Sequence, residues 1–315
     1  MSAPKPSRSI LNDPKHLLAR LTRLESTIPG LDATLMLAQY SSPLIIALLL
    51  KLASIRARHP KVKLSQAAGQ GVLKVDRGYG LVQLAEGWGR AGGSIGDARV
   101  IMRAFGMLPV FQSLLALHPK PLTSLLTLLS PDGLAKALQS PKAISTLQCL
   151  AILAYYPLEH VSWLATKGII SMSPQKVGKA TLWGVRFWAL YVALKVYELQ
   201  KTYLALSSRT RALQHSKPDV SPTEAEGFEV QDEKTGPKDI QGKVEEKVSQ
   251  AKVLGKEWLT WRNATISNAG YAPLTIHWST PGGIWGSPLI TGTMGSVAAV
   301  GSLLAEWHKG DIEYE

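Results

Sequence analysis

No Lys, Arg, Asp or Glu occurs between Ala264 and Ala305, and this stretch closes on the 23 small and apolar residues Gly283–Ala305. A helix rises about 1.5 Å per residue and a bilayer core is about 30 Å thick, so roughly 20 residues suffice to cross it. Glu306, His308 and Lys309 follow directly, as polar groups do at a membrane boundary. Small residues recur four apart as Gly292/Ser296, Gly295/Ala299, Ala298/Ser302 and Gly301/Ala305. In lipid, apolar burial gives helices no net drive to associate, and such rows let two backbones approach closely. The alternative is a Gly-rich core segment of a soluble protein, where Gly weakens a helix. The uncharged length favours insertion.

Composition sets the wider frame. At 315 residues the chain is long enough for two domains. Hydrophobic residues at 45% and a mean hydropathy of +0.04 are too polar for a many-helix transporter. A charged fraction of 18% is low for a cytosolic enzyme. Cys149 is the only cysteine, so no internal disulfide forms and an oxidising, secreted life is not expected. The opening MSAPKPSRSILNDPKHLL lacks an apolar signal core and a cleavage site. Asn263-Ala264-Thr265 matches a glycosylation triplet without other lumenal support.

Charge is divided along the chain. Gln214–Glu257 carries 7 Lys against 10 Asp and Glu, while the rest of the chain holds an excess of 15 positive charges. The acidic stretch is rich in Pro and Gly and poor in aromatics, which predicts a disordered linker that turns helical toward Val244–Trp258. The basic remainder fits either nucleic acid or an anionic membrane. Lys and Arg sit on short amphipathic segments with no finger, RRM or KH signature, so anionic lipid is expected and nucleic acid is not.

Helical signals dominate the first 215 residues. Asp13 and Pro14 suit a helix start, and Leu17, Leu21, Leu24 and Ile28 form one stripe opposite Lys15, Arg20 and Arg23. Pro29-Gly30 is expected to stop that helix. A second begins near Asp32 and kinks or restarts at Pro43. Leu44–Leu50 is apolar but only seven residues long before Lys51, which predicts a buried or interfacial helix rather than a span. Met107–Ser130, broken by Pro109, Pro119 and Pro121, reads as two short helices. Ala143–Leu158 is borderline for spanning, and Ala180–Leu194 suits an interfacial helix with Arg186 among Trp183, Phe187, Trp188 and Tyr191.

The segment from Asp97 carries the surface chemistry. At about 100° per residue, Val100, Ile101, Ala104, Phe105 and Leu108 share one arc, with Arg99 and Arg103 opposite. Asp97 suits the positive end of a helix starting there. This pattern fits a helix lying in a membrane interface, with its arginines reaching headgroups. It fits equally a helix packed on its own domain. The fold class expected is all-α: amphipathic and transmembrane helices with a disordered charged linker, and nothing predicts a sheet. Four regions follow: amphipathic helices over 1–118, central hydrophobic helices over 119–213, the linker over 214–257 and a membrane segment over 258–315.

Signals for catalysis fail on inspection. Gly92-Gly93-Ser94-Ile95-Gly96 matches a nucleophile elbow formally, but Glu86–Arg90 before it is a poor strand, so a flexible hinge is expected there. Seven scattered histidines form no HExxH or Cys/His cluster, and Gly69-Gln70-Gly71 extends to no phosphate loop. Glu159-His160 reads as the polar end of a membrane helix rather than an acid/base pair. No enzyme, metal or cofactor emerges.

Three blocks in order resemble the peroxin 11 family of peroxisomal membrane proteins: Leu31–Tyr40 with its Gln-Tyr pair, Ser94–Gly106 with two basic residues four apart, and the Gly/Ser-rich helix around Gly292–Trp307. Tyr155–Gly168 and Arg186-Phe187-Trp188 are also similar. Gly-rich Gly87–Gly96 and Asp97 depart from the usual pattern, as in a divergent fungal-type paralogue. The resemblance implies a peroxisomal membrane protein that promotes elongation and division, with both ends facing the cytosol. It also implies self-association and dealings with the membrane-protein import receptor and the fission machinery. On that reading Arg99, Val100, Ile101, Arg103, Ala104, Phe105 and Leu108 bind the membrane. Gly292, Gly295, Ser296, Ala299, Gly301 and Ser302 form a helix–helix contact between copies. The alternative is a small-solute channel, with Glu159, His160, Arg186 and His277 as candidate lining groups.

Overall fold

The computed structural model describes residues 14–58, 61–67, 70–76, 78–120, 126, 130–215 and 237–312. Helix α1 (Pro14–Glu25) ends before a two-residue break, and α2 (Ile28–Arg58) follows. Thr27 caps α2, its Oγ1 accepting from the Gly30 N–H at 3.2 Å. Pro29 therefore opens α2 in its first turn, where a missing N–H costs nothing, instead of stopping α1. The helix continues through Pro43 for 31 residues. Leu44–Leu50 is thus not an isolated short segment but the middle of a helix long and apolar enough to cross a membrane.

Strands β1 (Lys61–Ala67) and β2 (Gln70–Asp76) form an antiparallel pair, with Lys61 opposite Asp76 and Ala67 opposite Gln70. No sheet was expected in this helical chain. The period-two alternation of Lys61-Val62-Lys63-Leu64 is a strand signal that a reading by charge alone conceals.

Helix α3 (Tyr79–Leu117) runs unbroken for 39 residues through both the Gly-rich run and Pro109. The hinge expected at Gly92–Gly96 is instead a packing row. A side chain at Gly89 would meet Ile46, at Gly92 Ser42, and at Gly96 Gln39, all on α2. Ala85, two turns before Gly92, is buried on the same row. Absent side chains let the two backbones close in.

Next come α4 (Pro131–Gln139), α5 (Ala143–Thr166), α6 (Pro174–His215), α7 (Pro237–Ser279) and α8 (Pro288–Ile312). Ser173 Oγ accepts from the Lys176 N–H at 3.4 Å and Pro174 takes the first position of α6, both ordinary start signals. Between α7 and α8, Gly282 and Gly283 adopt positive φ (80° and 74°). His277 Nδ1 accepts there from the Ile284 N–H at 2.8 Å while its ring stacks on Trp285. The helix expected toward Val244–Trp258 begins earlier, at Pro237, and residues 237–257 of the expected linker are the first half of α7, so the boundary placed at 257/258 falls inside one helix. The other half of that linker lies mostly outside the described residues.

Six helices close a ring. α2 packs on α3, α3 on α5, α5 on α6, α6 on α7, α7 on α8, and α8 returns to α2. α1 leans on α2 and α8, where the Arg20 guanidinium lies 4.4 Å from the Trp307 ring. The beginning of α2 and the end of α8 therefore share one face. α2, α3 and Pro288–Lys309 of α8 are long and apolar enough to cross a bilayer. α6 and α7, with 42 and 43 residues, extend about 63–65 Å at 1.5 Å per residue, twice the bilayer core. Their outer halves pair through Tyr203, Trp258 and Trp261 and an Arg209–Glu257 ion pair.

Candidate functional site: a polar waist inside the ring

The ring lines a partly open cavity of about 1150 Å³ to which all six helices contribute. α2 supplies Asp32, Gln39 and Tyr40, and α3 supplies Arg99 and Arg103. From α5 come Tyr155, Tyr156 and Glu159; Trp188, Tyr271 and Ser302 represent α6, α7 and α8. Arg99 and Arg103 lie near the middle of α3 and Ser302 near the middle of α8, while Asp32 is in the second turn of α2.

Arg99 is 6% exposed. Its Nε donates to Asp32 Oδ1 at 2.7 Å, its Nη1 to Gln39 Oε1 at 2.7 Å and its Nη2 to Asp32 Oδ2 at 3.3 Å. One turn on, Arg103 makes a two-pronged contact with Glu159, both bonds at 2.7 Å. Tyr155 donates its hydroxyl to the same carboxylate at 2.6 Å. Planar guanidinium forks match carboxylates in this bidentate way, which fixes orientation as well as charge. Aromatic rings complete the waist. Trp188 stacks on both Tyr155 and Trp278 and meets Tyr271 edge-on, while Tyr40 stacks on Trp278.

The headgroup role expected of Arg99 and Arg103 does not match this placement, because both guanidiniums turn inward to carboxylates on other helices. The apolar members of the arc turn the other way. Ile101, Phe105 and Leu108 are 47%, 60% and 64% exposed, and Phe111 and Leu115 extend the same outward face. Val100 and Ala104 sit at its edge, half-buried. Apolar outside and ionic inside is the arrangement a surrounding of lipid selects.

Asp97, expected at a helix start, lies in mid-helix and joins α3 to α5. It accepts from Trp163 Nε1 at 2.9 Å and from Lys167 Nζ at 2.5 Å. The small-residue row of α8 does form a helix–helix contact, but within the chain. A side chain at Gly292 would meet Tyr40 and Pro43, and Gly295 lies against the Tyr40 ring. Gly301 lies against the Ser267 backbone of α7, and Ser302 Oγ is 2.9 Å from Ser267 Oγ. Ala299 is fully buried beside Met36, and Ser296 Oγ is buried with no hydrogen-bond partner among the described residues. The expected contact between copies would need a surface that α2 and α7 already occupy.

Of the candidate lining groups, only Glu159 borders the cavity. His160 bridges α5 to the Val100 carbonyl of α3, Arg186 reaches the Ser279 carbonyl, and His277 caps a turn. Reasoning from sequence missed Asp32, Gln39 and Tyr271 as site residues. Asp32 and Gln39 are seven apart within the Leu31–Tyr40 block, two turns on one face, which is the one signal that could have found them. Among the described residues no cluster of His, Cys, Asp and Glu could hold a metal ion.

A family model described as peroxisomal biogenesis factor 11 matches residues 82–307, from the start of α3 to the end of α8. The chain belongs to the peroxisomal biogenesis factor 11 family. Its place in peroxisome biogenesis follows, and that family is not known as a family of enzymes. No curated protein and no solved structure matched the chain. For this member of the family, the matched region contains five of the six ring helices and both arginines of the waist.

Proposed function

We propose that this protein resides in the peroxisomal membrane and promotes its curvature, elongation and division. The observation that carries the reading is the inverted polarity of the bundle, with Phe105 and Leu108 outward and Arg99 and Arg103 in ion pairs inside. Such a bundle hides its charges from lipid and offers lipid its apolar face. The surface wedge moves accordingly from α3 to α1. Leu17, Leu18 and Leu21 are exposed there on a helix that also carries Lys15, Arg20 and Arg23. An amphipathic helix lying in one leaflet adds area to that leaflet alone and bends the sheet. Self-association then concentrates wedges in a patch. The paired outer halves of α6 and α7, which reach beyond the bilayer, are the surface open to a second copy, an import receptor or fission machinery.

The full-length protein reconstituted in vesicles containing anionic lipid is expected to draw out tubules visible by electron microscopy. Leu17→Glu with Leu21→Glu abolishes tubules while leaving the protein membrane-integrated. Tubulation unchanged by that variant contradicts the wedge. A second reading, passage of small solutes, is favoured by the polar cavity. Conductance in planar bilayers that changes with Glu159→Gln supports it.

A further inference from the structure

The cavity has a mouth in its side wall. Along α3, Gly89, Gly92, Gly96 and Arg99 meet Ile46, Ser42, Gln39 and Asp32 of α2 in turn. Because α2 begins at Ile28, it runs out about one turn past Asp32. Residues 104–117 of α3, about 21 Å at 1.5 Å per residue, extend beyond it. At that level Pro109, Ser113 and Ala116 of α3 line the cavity and are nonetheless exposed, as is Ser145 of α5. The mouth therefore lies toward the face that carries α1, next to the outward residues Leu108 and Phe111.

Behind the mouth, Val110, Ile152 and Val192 line the wall together with Tyr156, Trp188 and Tyr191. Every charged residue on the cavity wall is paired: Arg99 with Asp32, Arg103 with Glu159, and Lys195 with Glu198 at 3.0 Å. A charge on a ligand would stay uncompensated there, so the wall selects an uncharged one. Neither Tyr156 nor Tyr191 makes a hydrogen bond through its hydroxyl among the described residues, and both border the cavity. At about 1150 Å³ the space exceeds the roughly 300–1,000 Å³ of ordinary small-molecule sites, which leaves room for a lipid. We propose that the cavity binds an uncharged lipid with a rigid ring body and one hydroxyl, a sterol, taken from the leaflet through the side mouth. Its hydroxyl meets that of Tyr191, one turn from the Lys195–Glu198 pair. Its rings lie among Val110, Ile152 and Tyr156, with the ion-paired waist as a floor. Trp188 is held by stacking on Tyr155 and Trp278, and fixed flat walls suit a rigid body better than flexible acyl chains. A rigid ligand has little conformational freedom to lose on binding. The inference rests on the ring lying in lipid and not on the wedge of α1.

The test uses full-length protein in phosphatidylcholine vesicles titrated with dehydroergosterol, a fluorescent sterol that takes up energy from nearby tryptophans such as Trp188. The expected result is sensitised sterol emission that saturates. Cholesterol competes for it, while cholesterol sulfate, which carries a charge, and dioleoylglycerol, which has a hydroxyl but no rings, do not. Val110→Phe and, separately, Ile152→Phe fill the space behind the mouth and weaken apparent affinity about tenfold or more. Tyr191→Phe weakens it about fivefold by removing the hydroxyl partner. Leu115→Phe, on the outward face, leaves it unchanged. Elution as a single detergent-solubilised species shows which variants are folded, and either filling variant suffices. Three results overturn the inference: emission that rises with sterol without saturating; equal competition by cholesterol sulfate or dioleoylglycerol; or a folded filling variant that binds as the parent does or no worse than Leu115→Phe. Flotation of the same vesicles separates two failures. Protein that floats without a saturable signal overturns the site alone, and protein that stays behind overturns the membrane reading and the site with it.

Discussion

Arg99 and Arg103 sit one turn apart on α3 and bind carboxylates on opposite neighbours, Asp32 on α2 and Glu159 on α5. Together they tie three helices at the centre of the bundle. Removing one partner of a buried pair leaves the other charge uncompensated, at a cost of about 3–5 kcal/mol, whereas replacing both by apolar groups is often neutral. Glu159→Leu is therefore expected to lower thermal unfolding in detergent sharply, and Arg103→Leu in the same chain to restore most of the loss. Equal destabilisation by the single and double changes contradicts the pairing. The helical spacing of α3 shows two faces in the sequence but not which one looks inward. That depends on what surrounds the molecule, and on partners 67 and 56 residues away that no local pattern reveals. A wheel with Phe105 on one side and Arg99 on the other reads identically for a helix lying on a membrane and for one crossing it.

Helix continuity was the feature least legible in advance. Gly92–Gly96 and Pro43 look like breaks by propensity, yet both lie inside long helices because packing overrides propensity. The all-α class, the C-terminal apolar helix and the close approach of its glycines were readable, since length without charge and a four-residue repeat are local signals. The destination of those glycines was not: α8 spends them on α2 and α7. Gly92→Leu and Gly295→Leu, which drive a side chain into Ser42 and Tyr40, are expected to cost about 1–3 kcal/mol by overpacking. Gly93 has no neighbour within 4 Å, and Gly93→Ala is expected to raise stability by about 0.4–1 kcal/mol. Denaturant titration followed by helical circular dichroism separates the two cases. Loss at Gly93 equal to that at Gly92 contradicts the packing row.

The molecule as a whole is a ring of six helices with a polar waist, an amphipathic helix on one face and a long helical pair rising from that same face. The charged stretch ends in the helix expected toward Val244–Trp258, and that helix runs on to carry Trp258, Trp261 and Tyr271 into the ring. The central claim is that the ring sits in lipid with its apolar side outward. Spin labels at Phe105 and Leu108, in a Cys149→Ser background in vesicles, test it through collision with oxygen and with a water-soluble nickel chelate. The account predicts labels open to oxygen and closed to nickel at both positions, with a label at Val297 on α8 behaving alike. Labels readily reached by nickel would contradict it, because the face assigned to lipid would then lie in water.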